Sequence, residues 1–176
     1  MRPRSEFELL DSKPMDINDY LIPQAGKDWR ALLSGWSEVL PKSFTLWMVN
    51  RFGDLFVVLD DGSVHMLDVG VGSLKRLANN RGHFASLIDV GDNANNWLMI
   101  PLVNACVASG MALKSNQCYG YNIPPVLGGE YQVGNVSPVD IAVHYAFLAD
   151  IYRQTKHLPE GTPISMVTSD RGGRKK

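Results

Sequence analysis

The chain has only two cysteines, no long apolar run and almost no net charge, and each shortage excludes a class of protein. Cys106 and Cys118 cannot supply a disulfide framework, so we expect both to be reduced and buried as small apolar side chains. No run approaches the roughly 18 uncharged apolar residues of a membrane span. A net charge of −1 excludes a strongly basic nucleic-acid binder. We therefore expect no direct contact with nucleic acid or membrane.

Sequence signatures of metal, nucleophile and phosphate sites are also missing. The histidines and cysteines have no metal-ligand spacing, and no Gly-x-Ser-x-Gly is present. Gly70-Val-Gly72 follows a predicted strand but lacks the Gly-Lys-Ser/Thr of a phosphate loop. We expect no metal, no cofactor and no catalysis, and an enzyme that uses Asp140, His144 or Tyr145 is the minor alternative.

Length and charge distribution predict one domain with two flanking segments. A chain of 176 residues with 45% hydrophobic content is long enough for one buried core and short for two. We expect an irregular amino-terminal arm over 1–26, a single domain over 27–168 and a disordered basic tail over 169–176. The amino terminus leads into mixed acidic sequence rather than an apolar signal core. We therefore expect a cytoplasmic protein.

A β-hairpin is the clearest local prediction. Two runs rich in β-formers, 55–59 and 63–69, flank Asp61-Gly62, a dipeptide that readily adopts the positive φ angles of a tight turn. The first run is almost continuously apolar, which predicts burial on both of its faces. The hairpin is therefore expected inside a sheet.

The remaining elements predict an α+β fold. Asp28 is a good N-cap for a helix whose apolar face carries Trp29 and Trp36. The other predicted elements are a helical turn over 73–78, helices over 80–90, 92–100 and 101–110, strands over 117–123 and 139–145, a helix over 147–154 and an edge strand over 163–167. Helices that follow one another without intervening strands do not fit a doubly wound sheet. We expect a mainly antiparallel sheet with a central β-hairpin and helices packed on one side.

The hairpin sequence also resembles a known family. Asn50-Arg-Phe-Gly-Asp-Leu-Phe56 and Asp61-Gly-Ser-Val-His-Met-Leu-Asp68 are similar to the hairpin of the type VI secretion DNase-immunity family, bacterial immunity proteins placed near the SUKH superfamily. The similarity extends less sharply to 29–41 and 93–100, and beyond Gly110 it is only general. Residues 44–50 fit either a further strand or a short helix, and the resemblance favours a helix through Trp47.

The resemblance implies a function by binding. Family members neutralise a cognate secreted toxin, such as a type VI secretion DNase effector, by stoichiometric occlusion and without catalysis. The alternative is a SUKH-type regulatory or small-ligand-binding domain with a pocket beneath 124–129.

Acidic residues around the hairpin are the candidate toxin-binding surface. A DNA-cleaving toxin presents a basic surface, and complementary charge raises association rates and excludes wrong partners. For the aspartates at the hairpin tip, ordinary turn chemistry is the simpler interpretation. The predicted interface consists of Asp54, Asp60, Asp61, Asp68, Asp89 and Asp92, with Trp97 as an aromatic anchor.

Overall fold

A four-stranded antiparallel sheet forms the centre of the fold. The structure is a computed structural model that describes residues 16–164. The strands are neighbours in chain order: β1 (Thr45–Val49), β2 (Leu55–Val58), β3 (Val64–Asp68) and β4 (Ser73–Ala78). The predicted hairpin is confirmed as β2 and β3, whose turn contains Gly62 at a φ of 83°. It occupies the two inner positions of the sheet.

Helices cover both faces of this sheet. On the face of Phe56 lie α2 (Arg81–Leu87), α3 (Asn93–Trp97) and α4 (Ile100–Ala108). On the face of Leu55 and Val57 lie α1 (Trp29–Leu32), a 3₁₀ turn at Ser34–Trp36, and α5 (Ile141–Thr155). The α+β class and the single domain are confirmed, but the prediction of helices on one side is wrong. Successive residues of β2 point to opposite faces and all are apolar, so each face needs a cover.

Two segments that we predicted as helical are strands. Residues 45–49 pair with β2, and residues 73–78 pair with β3. The spacing of Leu74, Leu77 and Ala78 fits one turn of helix, but the free edge of β3 supplies the backbone partners that make this segment a strand. Exposed Lys75 and Arg76 then lie on the edge strand of the sheet, where charge discourages further pairing.

The second half of the chain adds a two-stranded sheet and the longest helix. β5 (Gln117–Tyr121) pairs with β6 (Val136–Asp140), so the strand predicted over 117–123 is confirmed. The strand predicted over 139–145 is wrong beyond residue 140. There the Asp140 Oδ1 atom accepts the N–H groups of Ala142 at 2.9 Å and Val143 at 3.1 Å, an N-cap that begins α5.

The described part of the predicted amino-terminal arm lies against the sheet. Ile22 is buried and donates its N–H to the Val49 oxygen at 2.8 Å. The hydroxyl of buried Tyr20 donates to Asn104 Oδ1 at 2.9 Å. Residues 1–15 and 165–176, which hold the rest of the arm, most of the predicted edge strand and the basic tail, lie outside the described residues.

Several local predictions are confirmed. Asp28 caps α1, since its Oδ1 atom accepts the Ala31 N–H at 3.1 Å. Trp36 is completely buried in the core beneath α5. Both cysteines are buried free thiols.

Within 16–164, no helix is long and apolar enough to cross a membrane.

Candidate functional site

The turn between β1 and β2 is organised by a buried Asn–Asp pair. The Asn50 side-chain oxygen accepts the N–H groups of Phe52 at 2.9 Å and Asp54 at 3.0 Å. Its nitrogen donates to Asp54 Oδ2 at 2.9 Å and to the Trp97 oxygen at 3.0 Å. Asp54 Oδ1 accepts the Val69 N–H at 3.0 Å. Asp54 therefore ties the start of β2 to the end of β3, and its carboxylate is enclosed rather than displayed.

Asp54 and Asp68 line a small cavity at this end of the sheet. Its volume is about 30 Å³, above the roughly 10 to 15 Å³ of cavity volume that one water molecule needs. The other lining residues are Phe52, Val69, Gly70, Met99, Tyr121, Pro125, Tyr131, His144 and Leu148. The cavity thus lies where the hairpin, the α3–α4 junction, the loop after β5 and α5 meet.

The electrostatics of the cavity are those of two crowded acids. Burial, and then the charge of Asp68, raise the pKa of Asp54 to about 7. Burial also raises the pKa of Asp68, against the stabilising N–H groups of Val71 and Gly70. No Lys or Arg is among the residues that line this cavity. The cavity is therefore an acidic, partly desolvated place in which Asp54 is about half protonated at pH 7, and its lining holds no cationic side chain.

His144 adds a neutral imidazole to the cavity wall. Its Nε2 atom lies 2.9 Å from the Phe52 carbonyl oxygen and must donate, because that oxygen can only accept. Desolvation lowers the pKa of His144 to about 4. The ring is therefore uncharged at pH 7 and does not compensate the two carboxylates.

Aromatic rings connect the cavity to the surface. Tyr121 stacks on buried Phe52 with ring centres 5.3 Å apart, and Tyr131 meets Tyr121 edge-on at 5.4 Å. Tyr131 is 59% exposed. Burial raises the pKa of both tyrosines, so both hydroxyls stay protonated at neutral pH.

The hairpin-tip acids lie at the other end of the strands. Asp60 accepts a hydrogen bond from Ser43 Oγ at 2.8 Å, and Asp61 accepts the N–H and hydroxyl of Ser63. Both are exposed, and the bonds from Ser63 lower the pKa of Asp61. Asp60 lies six residue steps beyond Asp54, which corresponds to about 20 Å of extended chain.

The remaining predicted residues form a third location. Asp89 and Asp92 are exposed between α2 and α3. Trp97 is half-buried and stacks on Phe84 with ring centres 5.1 Å apart. The structure therefore brings Asp54 and Asp68 together, and Asp60 and Asp61 together, but does not unite the six aspartates in one patch.

The residues of the alternative enzymatic interpretation are engaged in structural contacts. Asp140 caps α5, while His144 and Tyr145 bond the carbonyl oxygens of Phe52 and Gly53. Within 16–164, no group of three or more His, Cys, Asp or Glu side chains is placed to hold a metal ion.

Sequence reasoning missed most of the cavity wall. Phe52, Tyr121 and Tyr131 converge from segments up to 79 positions apart in the printed numbering, and no local pattern links them. Met99 has a φ of 54° and is the one non-glycine residue of the described chain with a positive φ. The sequence signals for this site are Asp54 and Asp68, both in the predicted interface, and the Pro124–Gly129 turn, beneath which the alternative interpretation places a ligand pocket.

Comparison with known proteins finds a family match over part of the chain. Residues 78–152 match the family model described as "T6SS immunity protein Tdi1, C-terminal". Among solved structures, the chain is similar to "Crystal structure of Atu4351 from Agrobacterium tumefaciens", with 18% identity and a TM-score of 0.41. That similarity covers 68% of this chain and 60% of the other. No curated protein matches this chain.

The matched segment runs from the last residue of β4 to Tyr152 in α5 and contains much of the cavity wall, including Met99, Tyr121, Tyr131 and His144. The match confirms the resemblance to type VI secretion immunity proteins. Through residues 78–152, the chain is similar to T6SS immunity protein Tdi1, C-terminal, and this match supports a type VI secretion immunity protein family.

Proposed function

We propose that this protein binds a cognate type VI secretion effector and neutralises it by stoichiometric occlusion. The observation that carries the proposal is the family match over residues 78–152. Inhibition by occlusion needs a stable interface of roughly 1,200 to 2,000 Å², and it needs no catalytic group. Two polar side chains of the cavity, His144 and Asp54, are used in hydrogen bonds to the chain's own backbone.

We further propose that the effector is a DNase and that neutralisation takes place in the cytoplasm, where a DNase reaches its substrate. A DNA-cleaving enzyme carries a basic surface to bind phosphates. The exposed acids Asp60, Asp61, Asp89 and Asp92 provide an opposite field that raises the association rate. In this proposal, buried Asp54 acts by holding the turn beside the cavity.

The small-ligand alternative finds no support in the cavity beneath the Pro124–Gly129 turn, although open grooves of about 530, 580 and 500 Å³ lie elsewhere on the described chain. Small-molecule sites are commonly 300 to 1,000 Å³ and enclose most of the ligand. The cavity next to the Pro124–Gly129 turn has about 30 Å³. It is too small for a metabolite, although its charged and aromatic lining suits a single small group of a larger partner.

Co-expression with a candidate effector tests the proposal. The product of the adjacent open reading frame in the source genome is expressed in a sensitive host with and without this protein. We expect restored survival and a complex that co-purifies at moderate salt. An unrelated protein of similar size is the control. Continued killing without complex formation would contradict the proposal.

A further inference from the structure

Several exposed large apolar side chains lie on the chain segments that form the wall of the Asp54–Asp68 cavity. The described residues include eleven exposed large apolar side chains. Six of them either line the cavity or stand within two positions of a lining residue: Val71, Ile123, Val126, Tyr131, Val143 and Phe147. They come from the β3–β4 turn, the loop after β5 and α5. Concentrated exposed apolar surface marks interaction sites in soluble proteins.

The acids inside the cavity keep unused acceptor capacity. Asp68 Oδ1 accepts the N–H groups of Gly70 at 2.9 Å and Val71 at 3.2 Å. Its Oδ2 atom accepts no hydrogen bond within the described part of the chain. Each oxygen of Asp54 accepts one hydrogen bond and has a second lone pair. The two carboxylates can therefore accept further hydrogen bonds without giving up those that hold the turn.

The surroundings of these acceptors select for a cation. The lining contains no Lys or Arg, and His144 is neutral at pH 7. Lys75 on β4 interacts with Asp68 electrostatically from an exposed position. The faces of aromatic rings such as Tyr121 and Tyr131 attract positive charge. Carboxylates, aromatic faces and an apolar surround together complement a cationic side chain that is itself flanked by apolar residues.

We propose that this cavity receives the ammonium group of a lysine side chain from the effector, while the exposed apolar residues pack around its stem. The inference rests on the proposed function and gives it a specific contact. A lysine fits better than an arginine because an ammonium is a compact charge with three donors, whereas a guanidinium is a wide planar fork. A volume of about 30 Å³ exceeds the roughly 10 to 15 Å³ of cavity volume that one water needs, so a group as small as an ammonium fits.

This position makes a kinetic prediction. Removing one partner of a buried charge pair mainly raises the dissociation rate, whereas an exposed charge at the rim mainly changes the association rate. The cavity acids are therefore expected to govern how long the complex lasts. The exposed acids at the hairpin tip are expected to govern how fast it forms.

Asp68→Asn tests the proposal, with Asp28→Asn as the matched control. In both residues Oδ1 accepts a backbone N–H three positions on, at 3.2 Å in Asp68 and 3.1 Å in Asp28, and asparagine keeps that acceptor. Both changes remove one negative charge. With the product of the adjacent open reading frame immobilised for surface plasmon resonance, we expect Asp68→Asn to raise the dissociation rate by about 30-fold or more. The control is expected to stay within about 2-fold of the unmodified chain.

A second variant keeps the test independent of folding at the turn. Tyr131 is largely exposed, so Tyr131→Ser should fold and should still raise the dissociation rate by about 5-fold or more by removing an aromatic contact. Circular dichroism checks that each variant is folded.

Carbodiimide coupling identifies the partner side chain, since it joins a carboxylate to a neighbouring amine as an amide with loss of water. Mass spectrometry should find Asp68 joined to an effector lysine, and this product should be absent from Asp68→Asn. Equal dissociation rates for all chains, or coupling through Asp60 and Asp61 without Asp68, would overturn this inference alone. A failure of the unmodified chain to form any complex would overturn the proposed function as well.

Discussion

Asp54→Asn should change how stability depends on pH. In the folded chain, burial and the neighbouring Asp68 charge raise the pKa of Asp54 to about 7, whereas an unfolded aspartate titrates near 3.9. Below about pH 3 the carboxyl is protonated in both states. As pH rises, the unfolded chain releases its proton first, so Asp54 makes the folded state progressively less favourable until its own pKa is passed.

The size of the effect follows from the two pKa values. A difference of about three pH units corresponds to at most about 4 kcal/mol, at 1.36 kcal/mol per unit. The buried imidazole of His144 acts in the opposite direction. Its pKa of about 4 means that stability is lost as pH falls from about 6.5 toward 4. His144 is present in both chains, so its contribution cancels when they are compared.

Urea denaturation at pH values from 4.5 to 8 measures this difference. The free energy of unfolding of the unmodified chain, minus that of Asp54→Asn, should decrease by a few kcal/mol across the range. When both chains also carry Asp68→Asn, the decrease should occur at lower pH, because the Asp68 charge no longer raises the pKa of Asp54. A difference that stays constant with pH would refute the placement of Asp54 as a buried, crowded acid.

Two other predictions concern the core and the exposed acids. Trp36→Ala should lower the free energy of unfolding by about 3 to 5 kcal/mol, because the side chain is completely buried. Trp36→Phe should cost less, because Trp36 Nε1 has no hydrogen-bond partner among the described residues and phenylalanine removes that donor. An unchanged melting temperature for Trp36→Ala would contradict the placement of Trp36 in the core. Replacing Asp60, Asp61 and Asp92 together by lysine should slow association about 10-fold at low salt, with nearly unchanged thermal stability and a smaller effect at high salt. The same association rate in the folded triple variant would remove these acids from the binding surface.

Local chemistry was predictable wherever a few adjacent residues decide the structure. The Asp61-Gly62 turn and the Asp28 cap follow from contacts within three residues. Pro101 in the first turn of α4 and Gly110, with a φ of 86°, just beyond its end are of the same kind. Each is a strong signal because its partners are close in the chain.

The errors occurred where distant segments decide. Residues 73–78 are a strand because they pair with β3. At Asp140 the cap interrupts an alternating pattern that reads as a strand. Buried Asp54 is hydrogen-bonded to Asn50 and Val69. Trp97, which accepts a hydrogen bond from Asn50, and Tyr121, which lines the same cavity as Asp54, come from other elements. No pattern within one segment contains these relationships.

The family match covers a different part of the chain from the hairpin that carries the resemblance. The resemblance rests on the hairpin around 50–68 and is only general beyond Gly110. The matched segment, 78–152, begins after the hairpin. The two regions meet at the cavity, whose acids come from the hairpin and whose aromatic and imidazole wall comes partly from the matched segment.

Stoichiometric neutralisation is the central claim, and a titration of effector activity tests it most directly. A fixed amount of the purified product of the adjacent open reading frame is mixed with increasing amounts of this protein, and residual DNA cleavage is measured after short and long incubation. The account predicts a linear loss of activity that ends at a fixed molar ratio and does not depend on incubation time. Complete inactivation by a small fraction of an equivalent, increasing with time, would indicate catalysis and contradict the account. Full activity in the presence of excess protein would contradict it equally.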